Sequence, residues 1–251
     1  MIKLSVVIIT YNEEKNIARC LNSIQDIADE IIVVDSFSTD KTEEICKTFN
    51  VSFFKQKWLG YSNQKNFANR LAKYDFIFSI DADEALSPEL KESIIHLKKQ
   101  DNNNKVFQVK RITNYCGKWI KHCGWYPDVK IRIWNKNIGA WIGELHETIR
   151  FNKPVEIHTL NGDLLHYSYH SISQHIAQIN LFTDIGAKEA FKKGKRSNIF
   201  IITTKAFWKF IRDYIIKLGF LDGYYGFIIC ALSAHATFLK YIKLRELRKI
   251  K

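Results

Sequence analysis

At 251 residues and 46% hydrophobic composition, the chain is long enough for one large core with an appendage. Its five cysteines form no C-x-x-C pair, which argues against a disulfide framework and for a reduced, cytosolic protein. The net charge of +12 is uneven: residues 191–251 hold 14 Lys or Arg against three acidic residues, while the first 190 hold 24 basic and 23 acidic residues.

Met1-Ile2-Lys3 leads straight into a strand, so no signal peptide is expected. Leu4 to Ile9 is a β-branched run of the kind that forms a buried parallel strand. Thr10-Tyr11-Asn12-Glu13 ends it, with Asn12 at the N-cap position of a helix carrying Ile17, Leu21 and Ile24. Ile31 to Val34 is a second buried strand, stopping at Asp35. Asp40 and Glu43 are spaced as a capping box for the next helix. Val51 to Phe54 predicts a third strand, Gln64 to Ala72 a third helix, and Tyr74 to Ile80 a fourth strand that ends at Asp81. This β-α-β-α-β-α-β order predicts a Rossmann-like, mainly parallel sheet flanked by helices.

Ligands of such sheets bind outside the carboxyl ends of the strands, where Thr10, Asp35 and Asp81 all fall. No G-x-G-x-x-G or G-x-x-x-x-G-K-[ST] is present, which disfavours dinucleotide and P-loop readings. Asp81-Ala82-Asp83 places two carboxylates at a strand end. That pattern suits Mg²⁺ or Mn²⁺ shared with substrate phosphates, though taken alone it more often marks a solvated turn before a helix.

Three ordered motifs sharpen the choice: Val6-Val7-Ile8-Ile9-Thr10-Tyr11-Asn12-Glu13, Ile32 to Asp40, and Asp81-Ala82-Asp83-Glu84. Together they resemble the family 2 glycosyltransferases with the GT-A fold. Gly124 to Asp128, Arg132-Ile133-Trp134, Gly143 to Glu147, His166 to Tyr169 and Phe220 to Phe227 resemble the lipopolysaccharide core β-glucosyltransferase subgroup (WaaE/KdtX and LgtF type). The resemblance implies that Thr10, Tyr11, Asn12, Glu13 and Asp35 frame the uracil and ribose of a UDP-sugar. Lys65 would reach the base or phosphate, unless it is an ordinary exposed helix lysine. It further implies that Asp81 and Ala82 face the ribose and sugar, that Asp83 ligates Mg²⁺ or Mn²⁺, and that His166 completes the metal shell.

An inverting transfer needs a base beside the acceptor hydroxyl. Glu147, His146, Glu144 and Asp128 are the candidates, with Glu147 first because His-Glu is shared with the family, and Asp128 second. Trp125 and Trp141 lie close in sequence to these carboxylates, and sugar rings stack on aromatic faces.

In the basic tail, Phe207, Phe210, Ile211 and Tyr214 fall on one helical stripe, with Lys205, Lys209 and Arg212 mainly on the other side. This predicts an interfacial helix on an anionic membrane surface, or else a packed helix with a solvated basic face. Gly219 to Leu239 is long enough to span, but Asp222, His235 and its glycines predict a docked or interfacial hairpin. No nucleic-acid recognition motif is present. The expected organisation is a nucleotide-sugar-binding half over 1–105, an acceptor-binding half over 106–190 and a basic C-terminal helical region over 191–251.

The reading is therefore a metal-dependent hexosyltransferase, peripheral on the inner face of the cytoplasmic membrane. It would move glucose from UDP-glucose to a lipid-linked saccharide such as the lipopolysaccharide core. A sugar-nucleotide nucleotidyltransferase and a non-catalytic basic lipid- or nucleic-acid-binding module are the alternatives.

Overall fold

The computed structural model describes residues 2–100, 105–143 and 147–249. It divides into two compact units, one formed by residues 1–111 and 128–167, the other by 112–127 and 168–251.

In the first unit the apolar runs form strands β1 (Leu4–Thr10), β2 (Glu30–Asp35), β3 (Ser52–Lys55) and β4 (Phe76–Asp81). They pair in parallel in the order β3-β2-β1-β4. Helices α1 (Ile17–Ile24), α2 (Thr42–Cys46) and α3 (Tyr61–Leu71) connect them. Alternate residues of β1 enter two different layers, because side chains of a strand point to opposite faces. Val6 and Ile8 join Ile17, Leu21, Phe78, Leu90 and Ile94. Val7 instead joins Ile32, Ala68, Ile77, Trp134 and Trp141. Both faces of the parallel strands are thus covered, as their unbroken hydrophobicity requires.

After β4 the chain makes β5 (Glu84–Leu86), α4 (Pro88–Leu97), β6 (Lys105–Tyr115), β7 (Lys118–Ile120), β8 (Asp128–Asn135), β9 (Gly139–Ile142), β10 (Thr148–Phe151) and β11 (Glu156–Tyr169). Among the described residues the sheet runs β3-β2-β1-β4-β8-β6-β11-β5. Its second half is antiparallel at the β4–β8, β8–β6 and β11–β5 pairings. This mixed α/β sheet with a C-terminal helical region is the architecture expected.

Two local expectations fail. Asn12 does not cap α1: it takes a left-handed conformation (φ 55°) and the N-cap is Asn16. Asn12 Oδ1 instead accepts from Thr39 N, and the Asn12 N–H donates to Ser38 Oγ, tying the first and second strand-end loops together. Nor do Asp40 and Glu43 form a capping box. Asp40 accepts from Thr42 N and Oγ1 and from Glu14 N, while Glu43 turns outward to Lys47 and Lys55.

In the second unit, α5 (Ile172–Lys192), α6 (Ile199–Ile211), a π-helical turn (Arg212–Ile216), a 3₁₀ turn (Gly219–Asp222) and α7 (Gly223–Lys249) follow in order. α7 packs against both α5 and α6. Tyr115, Ile120, Cys123, Ile229 and Cys230 form its buried centre, lined by Trp125, Tyr169, Phe210, Tyr214 and Tyr225. Buried Asp222 accepts from the backbone N–H groups of Lys121 and His122. The hairpin expected over Gly219 to Leu239 is a 3₁₀ turn followed by one continuous helix. The expected stripe is also corrected: Phe210 and Tyr214 turn inward, stacked at 5.2 Å and edge-on to Phe227.

Candidate active site

The carboxyl ends of the parallel strands gather the predicted residues of the first unit. β4 ends at Asp81 because the next residues turn sharply, and Glu84 holds that turn by accepting the Asp81 N–H at 3.0 Å. The Glu84 side chain is fully buried, a position that needs paired positive charge. Arg132 supplies it at 2.6 Å and Arg111 at 3.2 Å. Arg132 also reaches Asp81 Oδ2 at 2.8 Å. Burial opposes ionisation of Asp81, but Arg132 and Lys65 outweigh it and hold the carboxyl well below the usual range.

Lys65 is not an ordinary exposed lysine; it is 6% exposed. Its Nζ lies 3.0 Å from Asp81 Oδ1, 3.7 Å from Glu147 Oε1 and 4.7 Å from the centre of the Trp141 ring. α3 is fixed there by Asn66, which bonds both the N–H and the carbonyl of Trp141. Lys65 thus stands between the end of β4 and the residue that precedes β10.

Asp83 and His166 meet across the β11–β5 pairing. His166 is registered opposite Glu84, and Tyr167 N donates to Asp83 O. The result places His166 Nε2 3.1 Å from Asp83 Oδ2. Arg19 stacks on the Tyr167 ring at 3.7 Å. Among the described residues no three His, Cys, Asp or Glu side chains converge into a closed metal cage. The donors offered are therefore a carboxylate oxygen and an imidazole nitrogen, a set that suits Mg²⁺ or, better, Mn²⁺ completed by phosphate and water.

Thr10 is buried, and its hydroxyl has no partner among the described residues. Tyr11 is exposed. Glu13 binds Asn16 Nδ2 at 2.8 Å. Burial, reinforced by Asp83 and Asp40, pushes its carboxyl up to about 7. Asp35 is fully buried, and both its oxygens are engaged by Ser38, at 2.5 Å to the hydroxyl and 2.9 Å to the N–H. It shapes the loop after β2. Ala82 is buried in the turn.

Asp128 opens β8 and is bound by Arg111 at 2.7 Å and Lys130 at 3.1 Å. Burial works against its ionisation, but these two cations hold it below the usual carboxylate range. Glu144 and His146 lie outside the described residues. The two tryptophans are not free platforms: Trp141 is buried edge-on to Trp134, and Trp125 packs among Tyr115, Tyr169 and His175.

Sequence reasoning named Arg132 and Glu84 only as parts of motifs and missed Arg111. The signal available was one arginine within each of two strand-like runs, Arg111 in β6 and Arg132 between Ile131 and Ile133 in β8, since an arginine buried in a sheet is costly unless buried carboxylates await it.

Residues 5–172 match the Glycosyl transferase family 2 profile. The chain is 37% identical to an uncharacterised glycosyltransferase of Rickettsia typhi, over 98% of this chain and 88% of that one. It is 28% identical to the lipopolysaccharide core biosynthesis glycosyltransferase LpsC of Rhizobium meliloti, over 99% of this chain and 94% of that one. Among solved structures it is similar to S. aureus TarS 1–349 in complex with UDP-GlcNAc, with 16% identity, a TM-score of 0.46 and coverage of 99% of this chain and 92% of that one. The match over most of the chain, with near-complete coverage by the Rickettsia relative, makes this protein a glycosyltransferase of family 2.

Proposed function

We propose that the protein is a metal-dependent inverting hexosyltransferase that takes glucose from UDP-glucose and adds it to a lipid-linked saccharide of the lipopolysaccharide core type. The observation that carries the reading is the convergence of Asp83 with His166, and of Lys65 with Asp81 and Glu147, at the strand ends. The name of the LpsC relative supports the acceptor class.

In this reading Asp83 and His166 would hold the divalent cation, which would supply positive charge beside the departing diphosphate. Thr10 and Tyr11 lie on the nucleotide side, where the orphan Thr10 hydroxyl is available to a ligand. Asn12 and Asp35 shape the two loops that frame the nucleotide. Lys65 places a fixed positive charge beside the reacting sugar, worth more in a partly water-excluded site than in bulk water. Glu147 takes the proton from the acceptor hydroxyl as that oxygen bonds to the anomeric carbon and the bond to the diphosphate breaks. Asp128 is the weaker base because Arg111 and Lys130 occupy its lone pairs.

Incubating the purified protein with UDP-, dTDP- and GDP-sugars and extracted lipid acceptors tests this. Release of UDP with glucose joined to lipid supports the reading. Release of pyrophosphate would mark a nucleotidyltransferase, and no metal-dependent turnover with any donor would remove it.

A further inference from the structure

Helices bury their apolar side chains when a partner is at hand, yet α6 and the turn that follows leave theirs in solvent. Phe200 is 74% exposed, Phe207 68% and Trp208 55%. Ile199, Ile215, Ile216, Leu218, Phe220, Leu221 and Tyr224 are exposed as well. The inward face of α6 is already satisfied, since Ile202 is buried and Phe210 packs on Tyr214 and Phe227. The outward aromatic set is therefore surplus to folding, and an exposed apolar patch of this kind marks an interaction site.

Charge narrows the partner. Lys192, Lys193, Lys195 and Arg196 are exposed immediately before α6, and Lys205 and Lys217 are exposed along it and after it. Between residues 190 and 245 the acidic residues are Asp213 and Asp222, and both are buried. Asp213 is bound by Lys209 at 2.6 Å and Arg212 at 2.9 Å, so its charge is neutralised within the fold. What faces solvent is apolar and positive, with no exposed negative charge from this stretch.

We infer that the outward face of α6 and the turn through Tyr224 is a docking surface for an anionic lipid bilayer, with Phe200, Phe207, Trp208, Phe220 and Leu221 entering the headgroup region and the 192–196 cations meeting the phosphates. An indole and phenyl rings among lysines is the composition of an interfacial helix, with cations that attract acidic headgroups. The protein lies on the bilayer and does not cross it. Gly219–Arg248 has the length and composition to span, but α7 packs against α5 and α6. Lys243 of α7, for example, binds Asp184 at 2.7 Å and Asn180 Oδ1 at 2.8 Å. The inference rests on these helices alone and is independent of the donor and acceptor proposed above.

Flotation of the full chain with vesicles tests it. Wild type rises with phosphatidylcholine–phosphatidylglycerol vesicles, far less with phosphatidylcholine alone, and is released as salt increases. A Phe200→Ser, Phe207→Ser, Trp208→Ser variant partitions about tenfold less, because it removes the inserted surface. A variant with Lys192, Lys193, Lys195 and Arg196 changed to Gln loses the preference for anionic vesicles. Circular dichroism and a thermal melt equal to wild type confirm that both variants remain folded; these side chains are exposed. Flotation of the serine variant equal to wild type would overturn the inference. So would a stable dimer in sedimentation whose association the serine variant abolishes, which would make a second copy the occupant. Retention on bilayers through high salt and alkaline carbonate would also overturn it, by marking a spanning helix.

Discussion

Arg132 shows how much of the site depends on a single buried cation. It is 2% exposed and bridges the fully buried Glu84 to Asp81, so its charge neutralises both the turn and the strand end. Arg132→Met leaves Glu84 buried with only the more distant Arg111, and a broken buried pair of this kind costs about 3–5 kcal/mol. Urea unfolding should show that loss, whereas an unchanged midpoint would mean that water solvates Glu84. Glu147 has a different role, on the reading proposed here. Glu147→Gln keeps the shape but removes the proton acceptor, and turnover should fall roughly 10²–10⁴-fold with UDP-sugar affinity retained. If Asp128→Asn shows that pattern instead, the base is misassigned. For the metal, Asp83→Asn and His166→Gln should each weaken Mn²⁺ binding measured by electron paramagnetic resonance with UDP present; binding equal to wild type in both would move the site elsewhere. The carboxylates at strand ends were legible from Asp81-Ala82-Asp83. His166 was named beside Asp83 through the family resemblance, but the buried cations Arg111 and Arg132 were not, because they reach the carboxylates through antiparallel pairings that no local pattern announces.

The parallel strands and their helices could be read from the sequence because buried strands are unbroken apolar runs bounded by polar loops. The antiparallel half was harder. β7, β9 and β10 are three or four residues long, too short to carry a readable periodicity. The tail shows a third case. Helical spacing was apparent, but α6 is apolar on both faces, and only the packing of α7 decides that Phe210 and Tyr214 turn inward. That packing is close. A Cβ at Gly226 would stand 1.9 Å from Gly219 O, so Gly226→Ala forces the 3₁₀ turn away from α7. Overpacking of this kind costs about 1–3 kcal/mol, which a thermal melt would register as a lowered Tm. α5 contributes a pH-sensitive contact in the same unit. His175 Nδ1 lies 2.9 Å from Tyr115 Oη, and burial lowers its pKa to about 4 from 6.5. Between those values the unfolded chain binds a proton that the folded one does not, so stability falls as pH drops from about 6.5 towards 4. His175→Gln should flatten that part of the stability profile in chemical denaturation, and a profile identical to wild type would show that the ring is not held neutral.

Across the whole chain, chemistry and charge are separated along the sequence. The first 190 residues are nearly neutral and supply every residue proposed for the donor site, while the last 61 hold almost the entire net charge. That division was legible from composition, since charge counts need no fold. The family is established by the match over residues 5–172, and the central claim is that its strand-end constellation transfers a hexose from a UDP-sugar. The most direct measurement is UDP release from UDP-glucose, with extracted lipid as acceptor, for wild type and Glu147→Gln, each with Mn²⁺ and with EDTA. The account predicts steady UDP release with glucose recovered in the lipid for wild type with Mn²⁺, a collapse in EDTA, and little turnover by Glu147→Gln under either condition. Equal UDP release by wild type in EDTA, or by Glu147→Gln with Mn²⁺, would contradict it.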